Sequence, residues 1–225
     1  MFLNRIHPLY LAAGLLAVLF LAINLTRPLL PIDETRYLTV AWEYFNRGEW
    51  ILPTLNYDPY HHKPPMLFWL INLMWQITGT TSIWAARLVP LVACMATLAL
   101  TYRIARILWP QNIETARLIP LLMLGAPFVM IYASLIMFDT LLALSVLAGI
   151  YAILKFYLTE RRIYWILFGF AVGLGILIKG PVILLHLLPV VLLFPLWQKE
   201  VKSERSVWIE GVIFSIMTAA VVGLA

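Results

Sequence analysis

The strongest constraint on this chain is a succession of apolar stretches, each near the length that crosses a bilayer as a helix. A hydrocarbon core of about 30 Å needs roughly 20 such residues. Runs of this kind can be placed at about 9–25, 83–102, 118–137, 140–158, 163–178, 180–197 and 207–225. With 63% hydrophobic and 12% charged residues and a mean hydropathy of +0.90, the chain lies outside the range of a soluble domain. The expected class is an all-α integral membrane protein, a multi-span helical bundle.

A net charge of +5 would suit a nucleic acid, but the basic residues fall in pairs and triplets between the apolar runs, as cytoplasmic loops do. Membrane lipids with anionic headgroups are the expected partners, and no nucleic acid is expected. The one cysteine, Cys94, lies inside an apolar run, so no intrachain disulfide can form and a small packed side chain is the plain reading. Arg5 precedes the first run as it would in a signal peptide. However, "LAINLTRPLLP" offers no small-x-small cleavage site, so a retained anchor is expected. The last run reaches the chain end without a polar flank, and residues 1–225 therefore read as part of a longer transmembrane polypeptide.

Residues 64–78, "PPMLFWLINLMWQIT", decide the sidedness of everything that follows. If they do not span, Arg5, the cluster Arg103, Arg106 and Arg117, the pair Arg161 and Arg162, and the trio Lys199, Lys202 and Arg205 all fall on the cytoplasmic side. If they span, every cluster after Arg5 moves outside. The run is short for a crossing, and Pro64 and Pro65 suit the first turn of a helix at the interface. Residues 26–82 then form one outer loop. Within it, "DETRYLTVAWEYFNRG" reads as an amphipathic helix, with Tyr37, Leu38, Ala41, Trp42, Tyr44 and Phe45 on one side and Arg36, Thr39, Glu43, Asn46 and Arg47 on the other. "LPTLNYDPY" reads as a turn-rich connector.

On this topology Asp33, Glu34, Lys63, Asp139 and Lys179 all emerge on the outer face. Asp33 and Glu34 open the amphipathic helix, where one carboxylate could serve as general base and the other orient a substrate or bind a metal. Equally, Asp33 is an ordinary N-cap and Glu34 a first-turn acid that complements the helix dipole. Asp139 lies between two apolar runs. The cost of about 3 kcal/mol for a carboxylate at mid-membrane places it at the surface, as a functional group or as a cap. Lys63 and Lys179 are cations suited to a phosphate held at the membrane, and snorkelling toward the headgroups accounts for Lys179 as well. The adjacent His61 and His62 lack a metal-ligand spacing, and His186 inside an apolar run reads as a hydrogen-bonded packing residue.

The order "DETRY", then "GEWILPTLNYDPYHHKPPMLFWL", then "SIWAARLVP", then an Asp in the second outer loop resembles the membrane glycosyltransferases of the protein O-mannosyltransferase and lipid A aminoarabinose transferase superfamily. The likeness covers residues 10–181. It implies a helical fold of the GT-C type with interfacial helices in the first outer loop, in the bacterial inner membrane, and an active site facing the periplasm. The donor implied is a sugar linked to polyprenyl phosphate, and the acceptor lipid A, another glycolipid or a protein hydroxyl. By resemblance, Lys63 and Lys179 would bind the donor phosphate. Asp33 would act as base in an inverting displacement, with Glu34 and Asp139 in support. Tyr37 and His62 would contact donor or acceptor. In the aminoarabinose branch an acidic residue usually precedes the Lys-Pro pair; here that position is His62. No cofactor is required by this reading, and a divalent ion stays open. A transporter or flippase would be equally helical, but would place its ionisable groups near mid-membrane, often in related halves. A non-catalytic assembly protein would need no such constellation.

Overall fold

The computed structural model describes residues 7–193 and 205–223, in two compact units, residues 1–141 and 142–225. In the first unit α1 (Pro8–Thr26) opens with a proline at its first position, after the N-cap His7. Ala12, Leu16 and Phe20, one turn apart, bury a narrow stripe of α1. The stripe packs on Leu91, Cys94 and Leu98 of α4 (Ile83–Leu108), Leu124 of α5 (Ile113–Leu124) and Ala133 of α6 (Pro127–Ser134). Its other faces expose Leu15, Val18, Leu21 and Leu25, as a helix bathed in lipid would.

Among the described residues three helices are long and apolar enough to cross a membrane: α1, α4 and α7 (Phe138–Thr159), on the runs expected at 9–25, 83–102 and 140–158. The run at 118–137 is instead broken into α5 and α6, which meet at 62°. Pro127, the first residue of α6, has no N–H with which to continue the ladder of α5, and Gly125 and Ala126 take up the bend. The runs at 163–178, 180–197 and 207–225 hold shorter helices: α8 (Ile163–Lys179), α9 (Val182–Leu192) and α10 (Arg205–Gly223), whose apolar part starts at Trp208. Gly180, at φ 69°, separates α8 from α9, and residues 194–197 of the expected sixth run lie outside the described residues.

Between α1 and α4 lie α2 (Asp33–Arg47), a hairpin of β1 (Thr54–Leu55) and β2 (Asp58–Pro59), and α3 (Met66–Thr78). At 1.5 Å per residue the 13 residues of α3 reach about 20 Å, too little to cross the hydrocarbon core. Pro65 is the N-cap of α3 rather than part of its first turn. The α2 helix is amphipathic, but the faces read from the sequence need correcting. Glu43, placed on the polar side, is only 3% exposed, and Trp42, placed on the apolar side, is 43% exposed. The hairpin accounts for Glu43, because it folds back over that face of α2.

The second unit is organised by α8 and α10. A Cβ on Gly169 would lie 2.5 Å from the Ser215 carbonyl oxygen, and one on Gly211 would fall 2.1 Å from the Trp165 indole nitrogen. The two backbones are thus closer than any larger residue allows, the usual way that helices associate in lipid. Ser215 donates its hydroxyl to the Trp165 carbonyl at 2.9 Å, and Trp165 is buried against Phe156 at a ring separation of 5.0 Å. His186 lies on an exposed part of α9, with its Nδ1 3.0 Å from the Val182 carbonyl oxygen, so its partner is its own helix.

One buried carboxylate ties the first unit together. Glu34, 1% exposed, receives Arg27 in two-pronged fashion, Nη1 to Oε2 at 2.7 Å and Nη2 to Oε1 at 3.1 Å. The backbone N–H groups of Leu30 and Ile136 also donate to it, at 2.9 and 3.1 Å. Arg87 of α4, 3% exposed, approaches at 3.7 Å and donates to the carbonyls of Arg27 and Pro28 and to the Asn24 side chain. Arg27 also donates to the Ser134 carbonyl at 2.9 Å. Burial alone would raise the Glu34 pKa, but the hydrogen bonds from Arg27, Leu30 and Ile136 outweigh it and hold the group below its ordinary 4.5. A depressed folded-state pKa means that this stabilisation is complete above pH 4.5 and is lost as pH falls through the lowered value. Glu34→Gln leaves Arg87 and Arg27 without their buried counter-charge and should cost about 3 to 5 kcal/mol. Thermal unfolding in detergent at pH 7 should show the loss, and the variant should lack the acid-dependent part of the wild-type decline.

Candidate active site

The rings of Tyr37 and Tyr44 on α2, Tyr60 after β2 and Phe138 at the start of α7 all converge on Phe68 of α3. The centroids lie 5.7 to 6.3 Å from Phe68. Tyr37 also meets Phe138 edge-on at 5.0 Å. All five residues are buried. Such pairs are worth about 0.5 to 1.5 kcal/mol each beyond the area they bury. They form a rigid floor because Tyr37 and Tyr44, seven residues apart, share one face of α2.

Charges gather at the edge of this floor. The Arg36 guanidinium carbon lies 5.3 Å from the centre of the Tyr37 ring, and its Nη2 donates to Asp33 Oδ1 at 2.5 Å. Lys63 holds its ammonium 5.9 Å from the centre of the Phe138 ring. Arg36 is thus paired with a carboxylate, whereas Lys63 has the aromatic face as its partner and no ion pair among the described residues. Asp33 is not the N-cap that its position suggests. That place belongs to Ile32, which makes no side-chain cap bond, and Asp33 is the first helical residue with its side chain 44% exposed. It is therefore open to solvent and is held by Arg36 one turn on. Asp139 occupies the first turn of α7, half-buried and adjacent to Phe138.

Tyr60 and Arg36 belong to this cluster although sequence reasoning did not select them as site residues. The Tyr60 hydroxyl is buried and has no hydrogen-bond partner among the described residues. Burial raises its pKa, with Arg36 opposing and Asp33 assisting. Burial also raises that of Tyr37, against the opposing effect of Arg36. Both are neutral phenols at physiological pH, able to donate a hydrogen bond. The Asp-to-Arg spacing of three on a helix was the available signal for Arg36; nothing in the sequence marks the burial of Tyr60.

The strip leading to Lys63 is fixed from below. The hairpin pairs Thr54 with Pro59 and Leu55 with Asp58, and its two loop residues, Asn56 and Tyr57, both have positive φ, 55° and 67°. Glu43 accepts from the Thr54 hydroxyl at 2.5 Å and from the N–H groups of Asn56 and Tyr57 at 2.7 and 3.2 Å. The Tyr60 N–H donates to the Pro53 carbonyl at 2.8 Å. Next to the strip, the Trp69 indole donates to the Trp50 carbonyl at 2.7 Å.

The other expected residues are placed differently. His62 is exposed, its ring 5.3 Å from Tyr60, and His61 is exposed beside it. Glu34 lies in the buried knot described above, with no exposure to spare for a substrate. Lys179 is the last residue of α8 in the second unit and is half-buried. Among the described residues no group of three or more His, Cys, Asp or Glu side chains could hold a metal ion. Chemically, the cluster offers two cations, two phenolic donors and an accessible carboxylate over an apolar floor. Such a set can hold a phosphate while a base works beside it.

Comparison with known proteins places the fold and the family. Residues 62–223 match the profile of the dolichyl-phosphate-mannose-protein mannosyltransferase family. The chain is 32% identical over 177 residues to the undecaprenyl phosphate-alpha-4-amino-4-deoxy-L-arabinose arabinosyl transferase of Pectobacterium atrosepticum, covering 76% of this chain and 31% of that protein. It is 30% identical over 204 residues to the protein of the same name from Yersinia pestis, covering 85% of this chain and 36% of that one. The chain thus spans about a third of the length of these curated relatives. The crystal structure of ArnT from Cupriavidus metallidurans bound to undecaprenyl phosphate superposes with a TM-score of 0.80 at 23% identity, covering 96% of this chain and 40% of that one. The fold is therefore that of a multi-span membrane glycosyltransferase of the GT-C type, and the chain belongs to the dolichyl-phosphate-mannose-protein mannosyltransferase family.

Proposed function

We propose that the full-length protein transfers a sugar from a polyprenyl-phosphate carrier to an acceptor at the outer face of the bacterial inner membrane, with inversion at the anomeric carbon. The observation that carries this reading is the gathering of Asp33, Arg36, Tyr60 and Lys63 at the edge of the aromatic floor. The names of the relatives favour an aminoarabinose-type donor linked to undecaprenyl phosphate. Lipid A or another glycolipid is the favoured acceptor.

In this mechanism Lys63 and Arg36 hold the donor phosphate above the rings of Tyr60 and Tyr37, and the apolar surface of α3 accepts the first part of the lipid chain. Asp33 takes the proton from the acceptor oxygen as that oxygen attacks the anomeric carbon. The bond from that carbon to the phosphate oxygen breaks, and polyprenyl phosphate leaves with the electron pair. A phosphate is already a good leaving group, so charge stabilisation by the two cations takes the place of strong acid catalysis. Attack opposite the leaving phosphate inverts the centre in one displacement. Asp139, beside Phe138, orients the acceptor.

Three experiments test this reading on the full-length protein. In a titration with undecaprenyl phosphate, Lys63→Ala should weaken binding roughly ten- to a hundredfold, the loss of one charge-assisted contact. Unchanged affinity removes Lys63 from the site. Asp33→Asn keeps an acceptor for Arg36 but cannot take a proton, so it should fold and melt like wild type and lose at least about a hundredfold in turnover. Full turnover would leave Asp33 as an ion-pair partner only. The sidedness is read by an impermeant thiol reagent on intact cells, with Cys94 replaced. A cysteine at position 58 should label and one at 161 should not, while labelling at 161 would mean that residues 64–78 span.

A further inference from the structure

We infer that Glu43 is a positioning residue for the donor-phosphate site, acting by holding a turn that its own sequence disfavours. This rests on the reading of Lys63 as a phosphate ligand. A two-residue hairpin loop with positive φ at both positions is a type I′ turn, which Asn-Gly adopts readily. Here the loop is Asn56-Tyr57. Asparagine tolerates the left-handed region, but an aromatic residue there is under backbone strain. The Tyr57 side chain is 72% exposed, so it does not repay that strain by packing.

The compensation comes from α2. The Glu43 carboxylate, 3% exposed, accepts from both N–H groups of the disfavoured pair and from the hydroxyl of Thr54 at the start of the hairpin. Arg47, one turn further along α2, donates to the same Thr54 oxygen at 3.1 Å. The hairpin therefore has its geometry imposed by the helix beneath it. Tyr60 follows β2 directly and Lys63 three residues later, so the phenol and the ammonium take their places from this turn. A carboxylate is required because two backbone N–H groups and a hydroxyl all donate toward it. The amide nitrogen of a glutamine would face an N–H that cannot accept.

The test uses the full-length protein and undecaprenyl phosphate as titrant, with hydrogen exchange over residues 50–60 as a second readout. Glu43→Gln should weaken binding at least about tenfold, the effect of losing one hydrogen bond to a charged group, and should speed exchange at Asn56 and Tyr57. Adding Tyr57→Gly converts the loop to Asn-Gly, and Glu43→Gln/Tyr57→Gly should bind within about threefold of wild type because the turn then holds itself. If Glu43→Gln alone does not fold, the double variant carries the test and should fold and bind. Lys63→Ala is the control. If it leaves affinity unchanged, the phosphate reading itself fails. If Lys63→Ala weakens binding while Glu43→Gln does not, the role of Glu43 is overturned. A loss in Glu43→Gln that Tyr57→Gly does not recover overturns it too, since the defect then lies outside the turn.

Discussion

The first unit depends on one buried carboxylate. Four groups meet at Glu34, the last two from distant parts of the chain: Arg27 at the exit of α1, the N–H of Leu30, Arg87 at the start of α4, and the N–H of Ile136 between α6 and α7. A buried anion of this kind is costly unless nearly all its lone pairs are satisfied, and here the two-pronged Arg27 and two backbone N–H groups satisfy them, with the Arg87 charge 3.7 Å away. The position matters as much as the energy. Asp33 is the neighbour of Glu34, Tyr37 stands one turn beyond it, and Phe138 lies two residues beyond Ile136. Fixing one carboxylate thus fixes the exposed acid and two rings of the aromatic floor.

The division of labour within the Asp-Glu pair follows from burial. Adjacent carboxylates on a helix point about 100° apart, so one can face the interior while the other faces solvent. Glu34, the longer, reaches the buried arginines, and Asp33, the shorter, stays at the surface with Arg36. Which of the two would be buried cannot be read from "DETRY" alone, because the answer lies in the arginines of α1 and α4.

The apolar runs were legible in the sequence because hydrophobicity and length act locally, and so was the short α3 after Lys63. The bend between α5 and α6 was missed, although Gly125 and Pro127 are present in the sequence, because a run of nearly uniform apolarity reads as continuous. The amphipathic pattern of α2 was visible but its faces were misjudged. Periodicity cannot distinguish a glutamate turned to water from one that a returning hairpin covers, and Glu43 is the second kind. Arg87 stood in "SIWAARLVP" as part of a resemblance, and only tertiary contact gives it a physical role. The proposed site residues Asp33 and Lys63 came from chemistry and resemblance together. Tyr60 needed the structure, since an aromatic residue in a turn-rich segment is ordinarily exposed.

In the second unit, the contact of α8 with α10 encodes its own alignment in side-chain volumes. Small residues recur every fourth position along α10, at Gly211, Ser215, Ala219 and Gly223, a row that could by itself accept a partner at several offsets. The indole of Trp165 rests on Gly211, in space that a Cβ would fill. Sliding α10 by one turn would bring Ser215 under that ring, and its side chain would collide with the indole while its hydroxyl lost the Trp165 carbonyl. The Trp165 side chain therefore acts as a key and Gly211 as the notch it fits. The ion pair from Arg162, at the N-cap of α8, to Glu210 of α10 and the Ser215 hydroxyl tie the two helices, and the fit of the indole on the glycine sets their register.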